Sequence, residues 1–207
     1  MAEAMAMRID LLRHGALEGG VKYRGTVDDA LTADGRVAMD GIWRQLAGDV
    51  ERIIASPLRR CAEPARAWAE QAGIPLAIEP RLAEMHYGAW EGLTADEIRA
   101  RFPGMLEQWR ADPEGMRIPG AESVAELRAR VTAFWDELCA EGEGGRLLLV
   151  AHSGSLRMLI AEVLGAPIAA TRRLAMPYTC WSRIAVRQGQ ASLVFHNCAR
   201  NPSIVQT

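Results

Sequence analysis

Leu147-Leu148-Leu149-Val150-Ala151-His152-Ser153-Gly154 is the stretch that decides the fold. Five consecutive apolar residues without alternation read as a strand buried on both faces, the kind found in parallel sheets. A histidine, a serine and a glycine end it, and an apolar-periodic helix follows to about Leu164. The N-terminal region repeats this layout. Arg8 to Leu12 reads as a strand ending at Arg13-His14-Gly15, followed by a loop rich in glycine (Gly19, Gly20, Gly25). Thr32 then has the character of a helix N-cap before a helix to about Leu46. Val50 to Ala55 is a second strand broken by Ser56-Pro57, and Leu58 to Ala72 a helix with Pro64 awkwardly inside it. Leu76 to Ile78 is a third short strand.

Thr94 to Pro119 reads as short helices interrupted by Pro103, Gly104 and Pro113. Glu122 to Glu141 is a long helix, with Val124, Leu127, Val131, Phe134, Trp135 and Leu138 at helical spacing. Trp181 to Arg187 and Ala191 to His196 form a hairpin around Gln188-Gly189-Gln190. Strands alternating with helices of ten or more residues predict a three-layer α/β/α fold around a mostly parallel sheet. No repeat, linker or low-complexity tract divides the chain, so residues 1–207 are expected to form a single domain. Residues 1–6 are expected to be a disordered leader and 94–120 a cap-like insertion.

Lys plus Arg number 24 against 26 for Asp plus Glu, a formal charge of −2, which argues against a nucleic-acid partner. No apolar run is long enough to span a membrane, and the N-terminus lacks the charge pattern of a signal peptide. Cys61, Cys139, Cys180 and Cys198 stand far apart with no C-x-x-C pair. They read as reduced thiols of a cytoplasmic protein.

Three strand ends deliver polar groups: Arg13 and His14, then Ser56 with Arg59 and Arg60, then His152 and Ser153. In open α/β sheets ligands sit at the carboxyl ends of strands, beside helix N-termini. Histidines and arginines converging there suit a phosphate, since guanidinium forks match its oxygens and helix N-termini add N–H donors. One imidazole can attack phosphorus while its neighbour donates to the equatorial oxygens. Taken singly, each piece has an ordinary reading. R-H-G is short, a histidine after a buried strand often bonds a loop carbonyl, and Arg59 and Arg60 could be a solvated helix start. Their shared position is what chance does not readily arrange.

On these residues the chain resembles the histidine phosphatase superfamily, also called phosphoglycerate mutase-like. The R-H-G signature is matched by Leu12-Arg13-His14-Gly15, and S-x-L-x-R by Ser56-Pro57-Leu58-Arg59-Arg60. E-x-x-x-G-x-x-E-G is matched by Glu84-Met85-His86-Tyr87-Gly88-Ala89-Trp90-Glu91-Gly92, and the second histidine by Ala151-His152-Ser153-Gly154. The resemblance covers residues 8 to about 165. It implies His14 as the nucleophile that forms a phosphohistidine, with Arg13, Arg60 and His152 binding the phosphoryl group. It implies Glu84 as the acid that protonates the leaving oxygen and the base that activates water. A carboxylate suits that work where a dry, anionic site raises its pKa. His86 and His196 match no motif role and read as structural.

The chain also departs from the family pattern. Many members place an Asn or Thr after R-H-G, where this sequence has Ala16-Leu17-Glu18-Gly19-Gly20. That loop, running into Tyr23 and on to Thr32, looks like the branch containing the α-ribazole phosphatases of cobalamin biosynthesis. The expectation is therefore a metal-independent phosphomonoesterase that needs no cofactor, acting on a small organic phosphate with α-ribazole 5′-phosphate as the leading candidate. Tyr23 and Ser153 are candidate substrate contacts, and Asp28 or Asp29 could bind ribose hydroxyls. A homodimer is left open. Met85, Tyr87, Trp90, Met105, Trp109 and Met116 could line a substrate cap or fill a helical core.

Rival readings are a phosphoglycerate mutase and a non-catalytic relative that binds phosphorylated ligands. A mutase would need cations for a second anionic group. Lys22, Arg24, Arg110 and Arg117 are the unassigned ones, and they do not cluster in sequence. No G-x-S-x-G elbow supports a serine hydrolase, and no H-E-x-x-H or Cys/His cluster supports a metal enzyme.

Overall fold

A computed structural model describes residues 6–142 and 144–199. Except for Ala6, the expected leader lies outside them. The elements run β1 (Met7–Arg13), α1 (Ala33–Leu46), β2 (Arg52–Ala55), α2 (Arg59–Ala72), β3 (Leu76–Ile78), α3 (Ala95–Arg101), α4 (Met105–Ala111) and α5 (Val124–Ala140). Then come β4 (Arg146–Ala151), α6 (Ser153–Val163), β5 (Trp181–Arg187) and β6 (Gln190–Cys198). The six strands form one sheet in the order β3-β2-β4-β1-β5-β6. The first four in that order are parallel, and the β5–β6 hairpin joins antiparallel to β1.

The unalternating strand behaves as its composition requires. Leu147, Leu149 and Ala151 of β4 pack into one core with α5 and α6. Leu148 and Val150 pack into the other, with Met39, Ile42 and Trp43 of α1 and Trp68 of α2. Both faces of the strand are covered, and three layers result. The segment expected as a cap does two things. Ile98, Leu106 and Ile118 are buried in the α5/α6 core, while Trp109 and Arg110 face a cavity.

Element boundaries differ from expectation for local reasons. Val50 donates its N–H back to Leu46 O, closing the end of α1, so β2 starts two residues later. Ser123 caps α5 by exchanging hydrogen bonds with Glu126, which leaves Glu122 outside the helix to pair with Arg130 at 2.6 Å. Thr32 caps α1 as expected, accepting from Gly35 N at 2.9 Å.

Register places the chemistry. β1 and β4 pair in parallel with Arg13 opposite Ala151, so His14 and His152 leave the sheet side by side. His14 N still donates to Ala151 O at 3.1 Å. On the other flank of β4, Ala55 pairs with Val150, and Ser56 follows. Three adjacent strands thus end together at one edge of the sheet.

Candidate active site

His14 stands at the end of β1, where Gly15 passes close to the first turn of α1. A side chain at Gly15 would place its Cβ 2.2 Å from Gly35 O, so R-H-G needs its glycine for packing. Nδ1 of His14 lies 2.9 Å from Gly15 O. A carbonyl only accepts, so Nδ1 carries the proton and Nε2 keeps its lone pair. Burial, followed by the positive charges of Arg13 and Arg60, lowers the pKa of His14 well below its ordinary value. The ring, with its charged form disfavoured, lies on the wall of a cavity of about 730 Å³.

The other strand-end residues divide between the cavity wall and the layer behind it. Arg13 lies on the wall, with its guanidinium 4.3 Å from the Tyr178 ring centroid and one NH group donating to Met176 O. Its buried Nε has no acceptor among the described residues. Arg60 is 1% exposed and stands behind the wall. Its guanidinium reaches five protein acceptors: His152 Nδ1, Val27 O, Asp28 Oδ1, Arg24 O and Gly25 O. His152 is fully buried beside it. Nδ1 accepts from Arg60 at 3.3 Å, which puts the proton on Nε2, 2.7 Å from Ser56 Oγ. Burial first, then the charge of Arg60, lowers the His152 pKa well below the ordinary histidine value. Of the expected phosphate contacts, Arg13 therefore lines the cavity, whereas Arg60 and His152 brace the floor beneath it.

Glu84 lines the same cavity at the N-terminus of α6. Met85 N donates to Oε1 at 2.9 Å, Gly154 N reaches both oxygens at 3.1 Å, and Ser153 Oγ donates to Oε2 at 3.2 Å. A Cβ on Gly154 would fall 2.1 Å from Glu84 Oε1, so this glycine makes room for the carboxylate. Arg130 fixes the backbone of the segment from α5, donating to the carbonyls of Arg81, Ala83 and Glu84. Sequence reasoning did not find Arg130, and a lone helical arginine gives no signal for such a role. His196 bridges Ser182 Oγ at 2.8 Å and Ala175 O at 2.7 Å, outside the site.

A single carboxylate holds the glycine-rich loop. Glu91 accepts from the N–H groups of Gly25, Thr26, Val27 and Tyr87. Asp28 and Asp29, candidates for ribose contact, are instead committed to Arg60 and Arg24. Tyr23 and Ser153 do reach the cavity wall. Tyr23 stands edge-on to Tyr87, Trp90 and Trp109, with ring centroids 5.3, 5.7 and 6.3 Å away, and its hydroxyl accepts from Arg110 at 3.2 Å. Tyr87 and Trp109 line the cavity, Met85 and Trp90 are buried, and Met105 and Met116 pack against the core.

The cations that looked scattered in sequence are gathered by the fold. Lys22, Arg24 and Arg110 line the cavity, joined by Arg157 and Arg172, while Arg117 pairs with Glu126 elsewhere. Arg157, Arg172 and Tyr178 are further wall residues that sequence reasoning missed. Arg157 did carry a signal: it lies four residues after Ser153, on the same face of α6.

The Histidine phosphatase superfamily (branch 1) profile matches residues 9–199. The chain belongs to that superfamily. A probable phosphoglycerate mutase GpmB from Enterobacter sp. (strain 638) is 34% identical over 181 residues, covering 86% of this chain and 84% of the relative. Among solved structures, a mycobacterial glucosyl-3-phosphoglycerate phosphatase has a TM-score of 0.83 at 30% identity, covering 93% of this chain and 99% of its own. A putative α-ribazole-5′-P phosphatase from Escherichia coli has a TM-score of 0.87 at 27% identity, covering 96% and 99%.

In this histidine phosphatase superfamily member Arg13 and His14 stand together at the end of β1, and Glu84 is held by the first residues of α6. Both elements, β1 and α6, are set by the register of adjacent strands. The arrangement puts the His14 imidazole, the Arg13 guanidinium and the Glu84 carboxylate on the wall of one cavity, a set that can do phosphoryl-transfer chemistry.

Proposed function

We propose that the protein hydrolyses phosphate monoesters through a phosphohistidine on His14, without a metal ion. His14 Nε2 attacks phosphorus, the P–O bond to the alcohol breaks, and Glu84 gives its proton to the leaving oxygen. Water then yields a proton to Glu84 and attacks phosphorus, breaking the P–N bond and releasing phosphate. The observation that carries this reading is the 2.9 Å contact of His14 Nδ1 with Gly15 O on a ring that lines the cavity, from which we infer a proton on Nδ1 and a free lone pair on Nε2. Arg13 binds the equatorial oxygens, and Arg60 and His152 act by holding the floor and its charge. Rapid quench with labelled p-nitrophenyl phosphate tests the proposal: acid-labile, base-stable label on the wild type and none on His14→Ala is expected.

Two substrate classes are supported. A ribose-type ester such as α-ribazole 5′-phosphate fits the aromatic wall of Tyr23, Tyr87 and Trp109 and the likeness to α-ribazole phosphatases, and would put the protein in cobalamin biosynthesis. An ester of a hydroxy acid fits the gathered cations and the names of the other relatives. The cations also favour a phosphoglycerate mutase as the second reading. Release of phosphate rather than interconversion of 3- and 2-phosphoglycerate separates the two. The four free cysteines support a reducing, cytoplasmic location.

A further inference from the structure

The turn at residues 177–180 is sewn onto the end of β1 at Arg13 and at His14. Arg13 N donates to Cys180 O at 3.0 Å, and Thr179 N donates to His14 O at 3.1 Å. Within the turn, Cys180 N donates to Pro177 O at 3.1 Å, and Thr179 takes a φ of 56°, which a β-branched residue rarely adopts. Backbone strain of that kind persists only where the surrounding bonds impose it, and it collects at functional sites. Its effect here is to set the Tyr178 ring over the Arg13 guanidinium, with Cζ 4.3 Å from the ring centroid. The same ring lies 5.7 Å from the His14 ring.

Tyr178 does little else for the fold. It is half-buried and belongs to neither hydrophobic core. It lines the cavity and also a groove against Ala38, Gly41 and Ile42 of α1. Its hydroxyl makes no hydrogen bond to a described residue. Arg13, for its part, has few other holds. Among the described residues it has no carboxylate within ion-pair distance, and its side chain donates to Met176 O. Burial lowers the pKa of Arg13, and a desolvated cation over an aromatic face is held more tightly than an exposed one. A carboxylate partner would occupy the guanidinium fork and cancel its charge. A ring face attracts the cation and leaves that charge for an incoming anion.

We propose that Tyr178 is a positioning residue, whose ring holds the Arg13 guanidinium in the orientation that meets the phosphoryl oxygens without neutralising it. This rests on the reading of Arg13 as the ligand of those oxygens. The role belongs to the face of the ring and not to the hydroxyl, so phenylalanine fills it and an aliphatic side chain does not. Because Tyr178 acts through Arg13 on the phosphoryl group, its contribution is the same whatever alcohol the ester carries.

The test compares the wild type with Tyr178→Phe and Tyr178→Leu. Calorimetry gives the Kd of inorganic phosphate, and its stoichiometry reports the folded fraction, so partial unfolding does not enter the affinity. Steady-state rates give kcat/KM for p-nitrophenyl phosphate and glycerol 3-phosphate. Tyr178→Leu should weaken phosphate binding roughly 5–30-fold, the worth of a partly desolvated cation–π contact, and lower kcat/KM by a similar factor on both esters. Tyr178→Phe should stay within about twofold of the wild type throughout, since it keeps the ring face. Unchanged phosphate affinity in Tyr178→Leu would overturn the proposal. So would losses on the esters without a loss for phosphate, which would make the ring a contact of the alcohol, or equal losses in both variants, which would assign the effect to the hydroxyl. A wild type that binds phosphate but turns over neither ester removes the hydrolase reading alone, because Kd still decides the role of Tyr178. A wild type with no affinity for phosphate overturns the proposal with the reading of Arg13 beneath it.

Discussion

The rings of His14 and His152 lie 5.2 Å apart between centroids at an interplanar angle of 59°, and both are buried. His14 gives one nitrogen to the protein, through Gly15 O; His152 gives both, to Arg60 and Ser56. Parallel register brings them together, because Arg13 and Ala151 are partners in the ladder. The two rings share a cationic neighbourhood with Arg13 and Arg60, so a proton on either is opposed by burial and by both arginines.

A pH dependence of stability follows. Both histidines have folded pKa values below the ordinary 6.5. The unfolded chain therefore binds more protons than the native one at pH below about 6.5, and stability falls as pH drops. Above that pH the contribution is fully present. Between pH 6.5 and the folded values, each ring lowers the unfolding free energy by up to about 1.4 kcal/mol per pH unit. Urea titrations between pH 7.5 and 5.5, in phosphate-free buffer, should show this slope, and His14→Ala should reduce it by about half. A flat profile would show that the rings are not held neutral.

The nucleophile assignment predicts that His14→Ala abolishes turnover of phosphomonoesters, while saturating EDTA leaves the wild-type rate unchanged. An EDTA-sensitive rate restored by a divalent cation would rule out the metal-free mechanism.

Glu84→Gln should lower kcat on alkyl phosphates by roughly 10²–10⁴-fold, the usual worth of a positioned general acid. On p-nitrophenyl phosphate, whose leaving group barely needs a proton, the loss should be much smaller. Gly154→Ala should reproduce that pattern without removing the carboxylate, since its Cβ would fall 2.1 Å from Glu84 Oε1 and push it aside. Equal losses on both substrates would assign Glu84 to binding or structure.

The sheet and the strand-end chemistry were legible because they are written in contiguous runs. Leu147 to Ala151 shows burial on both faces by lacking alternation, and the R-H-G and H-S-G turns follow their strands directly. What stayed hidden depends on contacts between distant segments. Nothing local says that Glu91 gathers the N–H groups of Gly25, Thr26 and Val27, or that Arg130 clamps the carbonyls of Arg81, Ala83 and Glu84. Lys22, Arg110 and Arg172 look unrelated until Tyr23 and Trp109 bring their segments to one wall. Asp28 and Asp29 look free for a ligand for the same reason, because their partners become visible only in the folded chain.

Arg60 is where motif and geometry part most clearly, and it can be tested. The motif implies a phosphate contact, yet five protein acceptors already surround the guanidinium and the side chain is 1% exposed. If Arg60 acts by holding His152 and the loop from Arg24 to Asp28, replacing its planar fork should cost stability first. Arg60→Lys keeps the charge but has only three donors on a flexible stem, leaving at least two buried acceptors unmet. An expected loss is about 2–4 kcal/mol of unfolding free energy, from about 1–3 kcal/mol for each unsatisfied group with partial relaxation. The affinity of the folded fraction for inorganic phosphate should change by less than about threefold, because Arg13 and the charge at position 60 both remain. The measurements are urea unfolding and phosphate binding by calorimetry on the same preparation. Full stability with a tenfold or greater loss of phosphate affinity would reverse the assignment and put the Arg60 fork directly on the phosphoryl oxygens.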